Sequence, residues 1–172
     1  LQGKQRNSED KKELLVVSNS SVIIALTRIY CLNLLKKLLR RILVPEAVWQ
    51  KMTVRCKPGS EEIIRTDFIH VREVHNKKLA LLLKEFVDES EAEVITLALE
   101  VNADLLLVDD YDARSLAKEL RLKVMGILGV IALAKYRGLI LKAKSIVDEL
   151  VKSGFQISRR VLEEFLRELD EK

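Results

Sequence analysis

"VVSNSSVIIAL" (Val16–Leu26) is the stretch whose reading decides the fold. An apolar run enters the polar cluster Ser18-Asn19-Ser20-Ser21 and leaves it as a second apolar run. That is the pattern of a buried strand, a short turn and a helix start. Open α/β sheets place ligands outside the carboxyl ends of their strands. The polar cluster therefore stands where a site is expected, with a neutral Asn19 at its centre. Taken alone, it is also what a turn and an N-cap from Ser20 or Ser21 require.

Outward from this stretch the same alternation recurs. "ELLVVS" (13–18), "ILVP" (42–45), "FIHVREV" (68–74), "ADLLLVDD" (103–110) and "LKVMG" (122–126) are short, rich in Val, Ile and Leu, and read as strands. Between them lie helical stripes: Leu34, Leu35, Leu38 and Leu39; Leu79, Leu82, Leu83 and Phe86; Ile95, Leu97, Ala98 and Val101; Ala113, Leu116, Ala117 and Leu120. Two more helices are expected towards the end, one closed by Gly154 and one opened by Ser158 as N-cap. Strand alternating with helix predicts an α/β fold, a central mostly parallel sheet of about five strands flanked by helices on both faces. Residues 1–13 are polar without an apolar period and read as a flexible arm. Residues 14–172 read as one domain, since no linker or repeat divides them.

Composition narrows the classes further. A chain of 172 residues with 48% hydrophobic and 33% charged residues is long enough to bury a core. It has no apolar run near the roughly 20 residues that cross a bilayer, so no membrane partner is expected and the location reads as cytoplasmic. Cys31 and Cys56 lack the short Cys/His spacings of a zinc site and are expected as free thiols. The formal net charge of +4 is compatible with a polyanionic partner without requiring one.

Carboxylates gather at the predicted strand and helix ends. "LLLVDDYDAR" carries a fully apolar strand into Asp109, Asp110 and Asp112. A cap on the following helix accounts for one aspartate, best Asp110, but not for three. "DESEAEVITLALE" (88–100) holds two overlapping capping-box patterns, Ser90 with Glu93 and Asp88 with Glu91. Glu91 shares the inward face with Ile95 and Ala98, which makes it the better site residue and Glu93 the better cap. His70 and His75 read as structural, and no P-loop, dinucleotide fingerprint or nucleophile elbow is present. An oxygen-only donor set without His or Cys suits Mg²⁺ or Mn²⁺ and phosphate chemistry.

The ordered set "VVSNSSVIIAL", "ILVPEAVWQ", "ESEAEVITLALE", "ADLLLVDDYDAR" and "LKVMGILGVIALAKYRGLI" resembles the PIN domain, the nuclease fold of VapC-type toxins, over most of the chain. The resemblance implies a Mg²⁺- or Mn²⁺-dependent endoribonuclease of RNA, with a small antitoxin protein as partner and a homodimer as assembly. It puts catalytic and metal-binding roles on Asn19, Glu91, Asp110 and Asp112, with Asp109 as an extra acid at the metal. Ser20, Ser21, Arg114 and Lys118 are the expected substrate contacts. Asn19 stands where the family carries an aspartate. An amide oxygen can ligate a cation but brings no charge. The alternative is therefore a catalytically weak or silent PIN fold that binds RNA or protein.

Overall fold

The computed structural model describes residues 13–171. The arm expected over residues 1–13 lies, apart from Glu13, outside the described residues, as does Lys172. Five strands form one sheet in the order β3-β2-β1-β4-β5: β1 (Val16–Ser18), β2 (Ile42–Val44), β3 (Ile69–Val71), β4 (Leu105–Leu107) and β5 (Val124–Met125). Every pairing is parallel, with Val17 lying between Leu43 and Leu106. A parallel sheet covered by helices buries both faces of its central strands, and Val16, Val17, Leu106 and Leu107 are all fully buried.

The order has one consequence for function. The chain runs outward from β1 through β2 to β3, then crosses to β4 and runs outward to β5. The direction of winding reverses between β1 and β4. A crevice opens at such a switch point, outside the carboxyl ends of the two strands. The segments entering it are Asn19 after β1 and Val108–Asp110 after β4. The amide of Asn19 donates to the carbonyl of Leu107 at 3.0 Å, tying the two strand ends together.

The helices that position this crevice are α1 (Ser20–Arg28), α2 (Asn33–Leu39), α3 (Glu46–Met52), α4 (Ser60–Ile64), α5 (Lys77–Leu83), α6 (Glu89–Glu100), α7 (Tyr111–Glu119), α8 (Ile127–Tyr136), α9 (Ala143–Lys152) and α10 (Arg159–Glu168). The leucine stripe of α2 is buried as core. The stripe expected from Leu79 to Phe86 is not. The helix stops at Leu83 and packs through Ala80 and Leu83, leaving Leu82 and Phe86 exposed. Ser20 and Ser21 are the first helical residues of α1, and Asn19 holds the N-cap position. Gly154 closes α9 in the left-handed conformation, and the Ser158 hydroxyl caps α10 by accepting from the Val161 amide. Cys31 and Cys56 are free. Among the described residues no helix is long and apolar enough to cross a membrane.

Candidate functional site

A cleft of about 930 Å³ lies over the switch point. Its floor is Asn19, Ser20 and Ser21 after β1, with Asp109 and Asp110 after β4. One rim is the start of α6, with Ser90 and Glu91, and Lys51 on α3. The other is Val124–Gly129 at the β5–α8 junction, together with Phe155–Ser158 and α10. Buried Asn19 does not cap α1 with its side chain. Its Oδ1 accepts instead from the Ser21 hydroxyl at 2.8 Å.

Asp88 caps α6, accepting from the Glu91 amide at 2.8 Å, and the Glu91 carboxylate reaches back to the Asp88 amide at 3.4 Å. The capping box is thus Asp88 with Glu91, not the box in which Glu93 was the better cap, because α6 begins at Glu89. Glu91 serves the box and the cleft together. Desolvation, with the nearby charges of Asp88 and Asp110, pushes its carboxyl up to about 7. Desolvation also acts on Asp88, but the hydrogen bonds from the Glu91 amide and the Ser90 hydroxyl outweigh it and hold this carboxyl below its ordinary range.

The two aspartates after β4 diverge. Asp110 is the N-cap of α7 and accepts from the Ala113 amide at 2.9 Å through Oδ1. As a carboxylate it keeps a second oxygen for the cleft. Asp109 turns to the opposite rim, where Oδ1 accepts from the Ile127 amide at 2.9 Å, at the start of α8. Its Oδ2 is buried with no hydrogen-bond partner among the described residues, and the Arg114 guanidinium is near enough to act on the carboxyl's charge. Burial raises the Asp109 carboxyl, opposed by the Ile127 N–H and by Arg114.

Arg114, Ser20 and Ser21 line the cleft; Asp112 and Lys118 do not. Asp112 is the second residue of α7, about 200° of helix rotation past the Asp110 cap, and is exposed. Lys118 follows Arg114 on the same face but about 6 Å farther along the axis. The structure therefore brings Asn19, Glu91 and Asp110 to one cleft, with Asp109 beside them but engaged with α8. Among the described residues no group of three or more His, Cys, Asp or Glu side chains is placed to hold a metal ion.

A five-stranded parallel sheet with acids after β4 and at the start of α6 agrees with the comparison to known families. The family described as DUF3368: PIN domain matches residues 15–171. The chain belongs to the PIN domain family. A comparison with curated proteins finds no match.

Three features of this PIN domain's cleft were not singled out from sequence. Lys51 comes from α3 and carries no signal. The β5–α8 turn approaches Asp109 so closely that a Cβ on Gly126 would lie 2.5 Å from its Oδ1. The third is α10. Val161, Glu164, Phe165 and Glu168 recur at i, i+3, i+4 and i+7 and line the cleft together. That mixed apolar and acidic face was legible in "SRRVLEEFLRELDEK". With α10 in place, five carboxylates (Glu91, Asp109, Asp110, Glu164, Glu168) face two cations (Lys51, Arg114).

Proposed function

We propose that this PIN domain is a binding module whose cleft takes a polypeptide segment bearing basic and apolar side chains, and that it cleaves phosphodiesters weakly or not at all. The observation that carries this reading is the excess of five carboxylates over two cations around a cleft also walled by Met125, Ile127, Phe155, Ile157 and Phe165. Even with Glu91 and Asp109 raised towards their neutral forms, such a surface complements a cationic chain with apolar side chains better than a polyphosphate backbone. The small antitoxin protein that the family resemblance implies would be a polypeptide ligand of this general kind.

The Mg²⁺ or Mn²⁺ centre expected of a PIN nuclease fits these residues poorly. Asn19 contributes no charge and its oxygen is engaged by Ser21. Asp109 is engaged by α8, and Asp112 stands outside the cleft. One observation favours the second reading, a metal-dependent endoribonuclease acting on RNA. Glu91 and Asp110 repel one another across the cleft, and a divalent cation would relieve that repulsion.

The binding reading is tested with a dye-labelled twelve-residue peptide of leucine and lysine, followed by fluorescence anisotropy beside a uridine oligonucleotide of equal length. The peptide binds the wild type, and Glu164→Lys with Glu168→Lys weakens it about tenfold, about 1.4 kcal/mol. Binding of the oligonucleotide but not the peptide overturns it.

A further inference from the structure

Helix α10 is held to the body of the protein in an uneven way. Of its ten residues only Phe165 and Leu166 are buried. By contrast six residues of α6 and four of α8 are buried. The turn that follows α10 is fastened instead by polar groups. The Glu171 carboxylate accepts from the amides of Ala143 (2.9 Å) and Lys144 (2.7 Å), the opening residues of α9. It also pairs with the Lys135 ammonium, which comes from the last turn of α8 and donates to the Leu169 carbonyl at 2.9 Å. A negative group at the start of α9 and a positive one at the end of α10 both suit the helix dipoles. One carboxylate and one ammonium thus join three helices, and the Glu171 side chain is only 11% exposed.

The other end of α10 follows α9 through Ser153–Ser158, a connection that contains Gly154 at φ 94° with open space around it. Between these two attachments, Glu164 and Glu168 stand over the cleft.

We propose that α10 is a movable wall of the cleft, fastened shut by the Glu171–Lys135 clamp and pivoting about the α9–α10 connection. Opened, it uncovers the start of α8 and the floor at Asn19. Closed over a cationic segment, it adds two carboxylates to the grip on that segment. The identity of the occupant rests on the binding reading above; the motion does not.

Hydrogen exchange followed by mass spectrometry on the full chain tests the wall. Wild type, Glu171→Gln and Lys135→Met are compared over residues 159–169, over 127–129 at the cleft-facing start of α8, and over 105–107 in the sheet. Both variants speed exchange in the first two segments together, about tenfold, and leave the sheet unchanged. Faster exchange in 159–169 with 127–129 unchanged overturns the wall, because α10 then frays without uncovering the cleft. Unchanged exchange in 159–169 overturns the clamp, as does equal acceleration in all three segments of both variants. If exchange changes as expected while the leucine–lysine peptide binds none of these proteins, the binding reading fails and the wall stands.

Discussion

Asn19 occupies the end of the central strand, where it is buried, donates from its backbone to Leu107 and accepts through its side chain from Ser21. Its neutrality leaves Glu91 and Asp110 as the acids that face one another across the floor. The consequence is measurable in stability. Glu91 rises from 4.5 to about 7 on folding, chiefly through desolvation and then through Asp88 and Asp110. A carboxyl raised on folding binds its proton more tightly in the folded state. Stability is therefore lost as pH rises from about 4.5 to about 7. Glu91→Gln keeps an oxygen for the capping box and removes the charge. In urea denaturation the variant is more stable than wild type by about 1–2 kcal/mol at about pH 8, allowing for solvent screening, and no more stable at about pH 4. Gly126 is a second residue-scale constraint. A methyl group there meets Asp109 Oδ1 at 2.5 Å and Arg114 Nη1 at 3.2 Å. Gly126→Ala lowers the free energy of unfolding by about 1–3 kcal/mol in the same assay.

Helix ends explain much of what was legible in the sequence and what was not. Gly154 and Ser158 announced the end of α9 and the start of α10, because glycine in the left-handed conformation and a capping hydroxyl are local chemistry. Other helices end by the same pattern without glycine. Arg121 adopts φ 63° after α7, where its amide donates to the Lys118 carbonyl and that of Leu122 to the Ala117 carbonyl. Nothing in "KELRLKV" signals that conformation. Relieving an exposed left-handed residue gains about 1–2 kcal/mol, and the freedom of glycine in the unfolded chain returns about 0.5–1. Arg121→Gly accordingly stabilises by about 0.5–1 kcal/mol, read as a rise in the urea midpoint. The start of α6 misled for a different reason. Two capping boxes overlap by two residues in "DESEAE", and only packing selects the one that opens the helix at Glu89. In α10 only Phe165 and Leu166 are buried, with Leu162 and Leu169 packed partly against the core. Polar fastening at Glu171 matters in that helix more than in α6 or α8.

At the scale of the whole molecule, the mostly parallel sheet of five strands follows from the spacing of apolar runs, and the PIN family membership agrees with it; the strand order that opens the crevice between β1 and β4 is set by tertiary pairing that the runs do not encode. The chemistry of the crevice did not follow as directly. "VDDYDAR" puts three aspartates within four residues, yet a cap, a turn towards α8 and a helix face send them in three directions. Side-chain direction depends on where the helix starts, and a shift of one residue rotates it by about 100°. Charge separates in a similar way. The chain carries a formal +4, whereas the cleft is lined by more acids than bases. The net charge of the chain therefore does not describe the charge of this cleft. Cleavage of a mixed RNA pool in Mg²⁺ or Mn²⁺ by wild type, Asn19→Asp and Asp110→Ala is the most direct measurement. Wild type and Asp110→Ala are expected to give the same background, with any cleavage confined to Asn19→Asp. Cleavage by wild type that disappears in Asp110→Ala would contradict a cleft built for binding and establish a nuclease.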